Sequence, residues 1–247
     1  MPCFKPLKTY LAHLTRSLIK KYSISGPFLD VGCGDGTFTE LLLKEGLWGK
    51  AIDISDECVE MTLRRVAGYD CISVEKKDLF SIEEDSKYSC ILMYDVLEHM
   101  KNPILAKEKI GKLLENKGYV MASFPIKIAE WRWDDENYGH YRRYELEDVK
   151  KMFNQDGFEL KIIWDITFPV FWGMRRIYTK FREPYVRNSL DFEEKARKSA
   201  FESAAGNGFL FRLMETLPIW NMVFRLQDLF IEKTYGCNVL ILSIKQN

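Results

Sequence analysis

The sequence predicts an α/β fold in which a doubly wound, mostly parallel sheet carries helices on both faces. In the first half of the chain, short apolar runs of strand length alternate with segments of helical periodicity. This alternation is typical of βαβ units, whose strands pair in parallel. A glycine-rich stretch follows the first apolar run, as expected where a strand turns into a helix beside a ligand.

Seven apolar runs predict the strands of this sheet. The runs are 28–31, 51–54, 71–74, 89–93, 118–124, 157–164 and 238–244. Apolar residues at helical spacing predict helices over 38–47, 57–66, 103–114 and 145–153. A turn at 116–118 is expected to introduce the fifth strand. Ligands of such sheets bind beyond the carboxyl ends of the strands, so the candidate site residues are sought there.

The stretch between the last two predicted strands has a different composition. Aromatic and basic residues are frequent in it, and the part from 168 to 182 contains no acidic residue. We therefore divide the chain into a core at 1–165, including an N-terminal helix, an inserted and mainly helical cap at 166–236, and a final core strand at 237–247. Three interpretations of the insertion stay open: a roof over a substrate pocket, a peripheral contact with a membrane surface through 168–182, and an oligomer contact.

Composition excludes several classes of protein. With 36 basic and 36 acidic residues the formal net charge is zero, which argues against a nucleic-acid partner. A hydrophobic fraction of 47% with 29% charged residues is ordinary for a folded globular domain. No uncharged apolar run reaches the length of a membrane span, and no secretory signal is visible at the N-terminus. The six cysteines form no Cys-x-x-Cys pair, so we expect a reduced, cytoplasmic protein without a metal site.

The glycine-rich turn is the strongest sequence signal of a cofactor site. It runs from Gly32 to Gly36 after an acid, Asp30, and the next strand run contains Asp53. A turn of this kind lets the backbone approach a ligand and directs a helix N-terminus at negative charge. The NAD fingerprint requires a third glycine where this chain has Thr37. That departure disfavours a dinucleotide, and Asp53 is placed to bind ribose hydroxyls.

Four motifs in order give the chain a family resemblance. They are Asp30 to Gly36, Asp53, Lys77-Asp78-Leu79, and Tyr94-Asp-Val-Leu-Glu-His99. Together they resemble the successive motifs of class I S-adenosylmethionine-dependent methyltransferases, and the last is similar to the ubiquinone/menaquinone-type small-molecule branch. The resemblance implies a Rossmann-like, seven-stranded methyltransferase fold that ends in an antiparallel strand pair.

The resemblance also implies the cofactor and the residues that hold it. The cofactor would be S-adenosyl-L-methionine, released as S-adenosyl-L-homocysteine. The glycine loop would lie along its methionine part, Asp53 would hold the ribose and Asp78 the adenine. The implied cofactor-binding residues are Asp30, Gly32, Cys33, Gly34, Asp53, Ile54, Asp78, Leu79 and Tyr94. Simpler roles for Asp78 as a helix cap and for Tyr94 in packing stay open.

Two histidines are candidates for the acceptor side of the site. Methyl transfer to a hydroxyl or an ammonium group needs a base for the departing proton, and histidine is the usual one near neutral pH. His99 follows the fourth strand and His140 the fifth, both at the carboxyl edge of the sheet. Further substrate candidates are Trp131, Tyr138 and Arg143. The alternatives are a capping role for His99 and ion pairs between the arginine and nearby acids such as Glu145 and Glu147.

These observations predict a methyltransferase that acts on a small molecule such as a sugar, a lipid-linked compound or a secondary metabolite. Protein or nucleic-acid methylation is disfavoured because no Asn-Pro-Pro-Tyr-like motif follows the fourth strand. Two alternatives remain: a non-catalytic protein that binds S-adenosylmethionine, and an NAD-dependent oxidoreductase. The identity of the acceptor and the oligomeric state are not predicted.

Overall fold

A seven-stranded sheet forms the centre of the computed structural model, which describes residues 5–181, 194–195 and 219–246. Its strands are β1 (Phe28–Val31), β2 (Gly49–Asp53), β3 (Ile72–Lys76), β4 (Tyr88–Tyr94), β5 (Leu114–Pro125), β6 (Phe158–Asp165) and β7 (Asn238–Lys245). Their order across the sheet is β3-β2-β1-β4-β5-β7-β6. The first five pair in parallel, and β7 is antiparallel to both of its neighbours. The predicted fold class is confirmed.

Helices pack on both faces of this sheet. They are α1 (Lys5–Tyr22), α2 (Thr37–Lys44), α3 (Asp56–Val66), α4 (Pro103–Leu113), α5 (Trp133–Tyr138), α6 (Leu146–Phe153), α7 (Val170–Phe181) and α8 (Ile219–Asp228). The described part of the predicted insertion contributes α7 and α8, whereas 182–193 and 196–218 lie outside the described residues. Among the helices of the described ranges, none combines the length and apolar character that a membrane span needs.

Two apolar cores lie on opposite faces of the sheet because successive side chains of a strand point in opposite directions. Along β4, Ile91 and Met93 are buried in the core that α4 and α6 complete. The side chains between them, Cys90 and Leu92, are buried in the core that α1 and α2 complete. Since both faces are covered, the strand ends and the loops that follow them are left for ligands.

Two local features differ from the sequence prediction. The turn expected at 116–118 lies within β5, where Tyr88 pairs with Leu114 but Cys90 pairs with Tyr119. The extra residues form a bulge, and Lys117 there has a left-handed φ of 64°. The second difference is α5, which occupies a segment where the sequence pattern predicts no helix. Its C-terminus is Gly139 with a φ of 75°, a common way for a helix to end.

Candidate functional site

The glycine loop between β1 and α2 has a backbone conformation that residues other than glycine rarely adopt. Gly32, Gly34 and Gly36 all have positive φ, a conformation open to glycine at little steric cost. A Cβ on Gly32 would lie 2.7 Å from Val96 Cγ2, whereas one on Gly34 would meet nothing within 4 Å. The loop is therefore packed against the turn after β4 and open at Gly34, where a ligand can approach its backbone.

Asp53, at the end of β2, joins this loop to the next strand. Its Oδ2 accepts a hydrogen bond from the Gly34 N–H (3.0 Å) and its Oδ1 one from the Ser55 N–H (2.9 Å). Burial raises the pKa of Asp53, and these backbone donors offset part of that effect. Each carboxylate oxygen has a second lone pair. Asp53 can thus hold the loop and still accept two hydroxyl groups of a ligand.

Asp30 and Cys33 support the loop from below. Asp30 is buried in β1, accepts a hydrogen bond from the Thr39 hydroxyl (2.6 Å), and has a pKa that burial raises to about 6. The Cys33 side chain is also buried and its Sγ accepts from the Thr62 hydroxyl (3.4 Å). Cys33 can therefore meet a ligand through its backbone, while its side chain packs towards α3.

The residues predicted to contact adenine lie beyond β2 and β3. Asp78 is exposed and its carboxylate caps a short helical turn, accepting from the Phe80 N–H at 2.7 Å. Leu79 is buried in the core, whereas Ile54 remains 43% exposed beside Asp53. The capping role of Asp78 leaves its second oxygen for a ligand, and the adenine contact stays a prediction.

Tyr94, the last residue of β4, directs its side chain into the fold. Its hydroxyl lies 2.8 Å from the Thr15 hydroxyl of α1, and its ring packs edge-on against Phe38 of α2 with centroids 4.7 Å apart. The side chain thus fastens α1 and α2 to the strand end. Only the backbone of Tyr94 is left to meet a cofactor, and that contact stays a prediction.

The next residue, Asp95, was not among the predicted site residues. It has a left-handed φ of 54° and accepts a hydrogen bond from the Ser123 hydroxyl (2.9 Å). The side chain is open to solvent, yet surrounding protein raises its pKa by desolvation, as expected in a cleft. Strained backbone at a non-glycine residue concentrates at functional sites. Asp95 stands at a strand end within the Tyr94–His99 motif. That position is the sequence signal from which it could have been predicted.

The structure brings the two predicted histidines together. His99 lies in the short helical turn Leu97–His99 after β4, and His140 follows α5. The Tyr141 N–H donates to the Glu98 carbonyl (2.8 Å), which joins the two segments. As a result, the rings of His99 and His140 meet edge to face with centroids 4.9 Å apart.

A hydrogen bond fixes the tautomer of each histidine. His99 Nδ1 lies 3.0 Å from the Gly139 carbonyl oxygen, and His140 Nδ1 lies 2.9 Å from Asp135 Oδ1. A carbonyl or carboxylate oxygen only accepts, so both Nδ1 atoms carry the proton, and in a neutral imidazole the Nε2 atom then keeps a lone pair. Burial lowers the pKa of His99 to about 3, and neighbouring His140 adds to this effect. His99 is therefore a neutral acceptor and a weak base.

Glu98 forms a cluster with His99 and His140. Its side chain is 1% exposed, and its Oε2 has no hydrogen-bond partner among the described residues. Burial, with a contribution from Asp95, raises the pKa of Glu98 well above its usual range. Glu98, His99 and His140 each place one ligand atom within 4.8 Å of the others, a spacing at which a metal ion could be held. The expectation of a site without metal therefore stays untested.

Arg143 is buried next to His140 and is surrounded by acceptors from the protein itself. It donates to Asp135 Oδ1 (2.9 Å) and to the backbone carbonyls of Ile126 (3.0 Å) and Cys237 (3.1 Å). The predicted acid partners, Glu145 and Glu147, are not those of this arginine. Its guanidinium supports the site through Asp135, and direct contact with a substrate stays an untested prediction.

The other two predicted substrate residues lie on α5 or just before it. Both Trp131 and Tyr138 are half-buried. The Trp131 indole N–H donates to Glu136 (3.3 Å), and the Tyr138 ring lies 6.0 Å from that of His140. Tyr138 is thus beside the histidine pair, whereas Trp131 is held towards the exposed side of α5.

Helix α7 of the insertion is docked onto this part of the site. Arg175 donates to both carboxylate oxygens of Asp134 (2.8 and 2.7 Å) and to Asp135 Oδ2 (2.8 Å). Arg176 donates to Glu130, and the Trp133 indole N–H donates to the Thr179 carbonyl (2.9 Å). Sequence reasoning missed these residues because their partners lie some forty positions away.

Comparisons with known proteins agree with this geometry. A family model described as a methyltransferase domain matches residues 6–161. The ubiquinone biosynthesis O-methyltransferase of Xylella fastidiosa (strain M23) is 31% identical over 111 residues, which are 42% of this chain and 44% of that protein. The enzyme of the same name from Neisseria meningitidis is 32% identical over 103 residues, 38% and 42% of the two chains. The chain thus matches less than half the length of these relatives.

Solved structures share the fold at low sequence identity. The N-methyltransferase NodS from Bradyrhizobium japonicum WM9, in complex with S-adenosyl-L-homocysteine, has a TM-score of 0.58 at 13% identity, covering 98% of this chain and 89% of that one. The [4+2]-cyclase SpnF has a TM-score of 0.59 at 15% identity, covering 95% and 80%. This likeness concerns the fold, and SpnF is named for a different reaction.

Proposed function

Because the chain belongs to the class I S-adenosylmethionine-dependent methyltransferases, we propose that it transfers a methyl group to a hydroxyl group of a small-molecule acceptor. The observation that carries this proposal is the histidine pair. Both Nδ1 atoms are tied to protein acceptors, so both Nε2 lone pairs are available to a ligand. A site that must take a proton from a hydroxyl group needs such a lone pair.

The residues on the donor side fit S-adenosylmethionine. The glycine loop is open at Gly34, and each oxygen of Asp53 retains a lone pair for a ribose hydroxyl. When bound, the cofactor supplies an electrophilic methyl group on a sulfonium and is released as S-adenosylhomocysteine. The packing of Gly32 against Val96 sets this loop directly beside the turn that carries His99, so the donor and acceptor sides adjoin.

We assign the two histidines different roles. His140, whose Nδ1–H is held by Asp135, accepts the acceptor's proton on Nε2 as the new oxygen–carbon bond forms. His99, kept neutral by burial, accepts a hydrogen bond from the same substrate and positions it. The buried carboxyl of Glu98 favours its protonated form and can donate a hydrogen bond to that substrate. Of the two histidines that the sequence leaves open, we therefore propose His140 as the base.

The insertion is best explained as a roof over this site. A membrane interpretation would direct Arg175 and Arg176 of α7 at anionic headgroups. Both arginines instead contact acidic residues of the protein, namely Asp134, Asp135 and Glu130. We propose that α7 closes the acceptor site from the side of α5. The exposed side chains of Ile177 and Phe181 lie on the part of the helix turned away from these contacts.

Turnover of histidine variants tests the proposal. Purified protein is incubated with methyl-labelled S-adenosylmethionine and a panel of phenols, catechols, sugars and amines, and mass spectrometry identifies the methylated product. On the acceptor found, His140→Ala should lower kcat about a hundredfold or more, and His99→Ala should raise KM more than it lowers kcat. Both should leave the affinity for S-adenosylhomocysteine within about threefold, under 1 kcal/mol.

The exposed His13 of α1 provides the matched control. His13→Ala should leave turnover unchanged. Full turnover in His140→Ala would remove the base assignment. Loss of activity on chelation, restored by a divalent cation, would show that the cluster acts as a metal site instead. A panel on which only amines are methylated would contradict the choice of a hydroxyl acceptor.

A further inference from the structure

Asp135 occupies an unusual position for a carboxylate, since it is 1% exposed and each of its two oxygens accepts two hydrogen bonds. Its Oδ1 accepts from His140 Nδ1 and from Arg143, both at 2.9 Å. Its Oδ2 accepts from Arg175 and from the Arg132 N–H, both at 2.8 Å. One side chain thus links the histidine, the core and the inserted helix α7. We call Asp135, His140, Arg143 and Arg175 the Asp135 network.

We propose that Asp135 is a positioning residue for His140, and that Arg175 of the inserted helix sets the orientation of Asp135. The inference rests on the proposed function only in taking His140 as the base. It assigns to α7, beyond its role as a roof, a direct influence on the orientation of the His140 ring through Asp135. Neither the fold nor the glycine-loop motifs require this influence.

The ionic state of the network supports the first part of the proposal. Burial alone would raise the pKa of Asp135, but hydrogen bonds from His140 and Arg143 outweigh it and hold that pKa well below its usual range. A permanent carboxylate cannot donate, so it selects the Nδ1–H tautomer of His140. The ring is then fixed with Nε2 directed away from Asp135, as a base requires.

The second part of the proposal, the role of Arg175, rests on its position in α7 and on its contacts. Its guanidinium shares one Nη2 between Asp134 and Asp135, whereas the adjacent Arg176 contacts Glu130 and not Asp135. Removing the Arg175 guanidinium would leave Asp135 Oδ2 with the Arg132 N–H as its remaining donor, so the carboxylate would be held less firmly towards His140. Trp133 still joins α5 to α7 through Thr179 and through the ring of Tyr178, so the helix need not undock.

Other charged groups also face His140 and must be kept constant. The turn after β4 presents Asp95, Glu98 and His99, and the loop after α5 presents Arg143, which shares Asp135 Oδ1 with the histidine. Tyr138 lies beside the ring. A comparison between single variants of Asp135, Arg175 and Arg176 leaves all of these in place.

Nuclear magnetic resonance of the imidazole nitrogens gives a direct test that needs no acceptor. The chain has only three histidines, so ¹⁵N-labelled imidazoles can be assigned by single substitutions. In the wild-type protein at pH 8, His140 should be the Nδ1–H tautomer. Asp135→Asn should lower the ratio of the Nδ1–H to the Nε2–H tautomer of His140 about fivefold, because the charged acceptor of the Nδ1 proton is lost.

The arginine variants separate the role of Arg175 from that of Arg176. Arg175→Met should lower the same tautomer ratio about twofold, because Asp135 loses a charged donor that orients it. Arg175→Lys should restore the ratio, and Arg176→Met should leave it unchanged. An Nε2–H tautomer in the wild type would overturn the proposal, and that measurement needs no variant to fold. Equal changes of the ratio in Arg175→Met and Arg176→Met would also overturn it, since they would show a general effect of charge.

The two proposals fail separately. If the tautomer ratios behave as expected but His140→Ala keeps full turnover, the Asp135 network stands and the base assignment is wrong. If His140→Ala abolishes turnover but Asp135→Asn and Arg175→Met leave both the tautomer and kcat unchanged, the base assignment stands and the positioning role is wrong.

Discussion

The carboxylate of Asp53 has a structural role, and in the proposed site it would also bind a ligand. It holds the glycine loop through the Gly34 N–H and the next turn through the Ser55 N–H. The sequence is sufficient to predict this residue, because an acid at the end of a strand next to a glycine loop has few other uses. Asp135 has no such local signal, since its role depends on Arg143 and on Arg175, 40 positions away.

Replacing Asp53 should weaken cofactor binding. Each hydrogen bond from a ribose hydroxyl to the carboxylate is worth about 1.5 to 3 kcal/mol, so Asp53→Ala should reduce the affinity for S-adenosylhomocysteine at least about tenfold. Calorimetry measures this. Asp56→Ala is the control, because Asp56 is exposed at the start of α3 and pairs with Lys76. Unchanged affinity in a folded Asp53→Ala protein would show that the acid is only structural.

His99 should make the protein less stable in mild acid. Its folded pKa of about 3 lies below the ordinary 6.5, so between these values the unfolded chain binds more protons. The stabilisation is complete above pH 6.5 and is lost as the pH falls towards 3, at up to about 1.4 kcal/mol per pH unit. Urea unfolding at pH 6.5 and 5.5 should therefore show a smaller pH dependence for His99→Asn than for the wild type.

His13→Asn serves as the control in the same experiment, because His13 is exposed. The difference between His99→Asn and the wild type should be about 1 kcal/mol over that interval. Identical pH dependences of the two proteins would mean that His99 is not kept neutral by burial.

Helix α1 connects elements that are far apart in the chain. Lys8 pairs with Asp35 of the glycine loop at 2.5 Å, Thr15 meets Tyr94 of β4, and Tyr10 donates to Asp228 of α8 at 2.7 Å. The helix itself was predictable from its apolar spacing. Its partners were not, because no local pattern indicates which loop a surface lysine will reach.

Detaching α1 from the glycine loop should loosen the cofactor site. The ion pair of Lys8 with Asp35 is partly buried and holds the pKa of Asp35 at about 2 against the opposing effect of burial. Lys8→Met should therefore raise the dissociation rate of S-adenosylhomocysteine about two- to fivefold, equivalent to about 0.5–1 kcal/mol. Stopped-flow fluorescence can follow it, with the exposed Lys20→Met as control. Equal dissociation rates in Lys8→Met and Lys20→Met would show that the ion pair between Lys8 and Asp35 does not affect cofactor binding.

Over the whole molecule, the order of the strands explains why the sequence points to one edge of the sheet. In the order β3-β2-β1-β4-β5-β7-β6, the ends of β1, β2 and β4 are neighbours, so the motifs that follow them converge whatever the details of packing. The position of α7 is different. It depends on ion pairs with α5 across a segment whose helical start, at Trp133, was not predicted. The fold was therefore predictable from the sequence, and the donor-side residues stay predictions. The contacts of the histidines and of Asp135 depend on long-range packing that no local pattern indicates.

The most direct measurement is a crystal structure of the protein with S-adenosylhomocysteine bound. It should place both ribose hydroxyls on the Asp53 carboxylate and the sulfur at the side of the glycine loop that faces His99 and His140. It should also show Asp135 bonded to His140 Nδ1, with α7 in place. A ribose held elsewhere, or a sulfur separated from the histidine pair by β4, would contradict the assignment of this edge of the sheet as the site of methyl transfer.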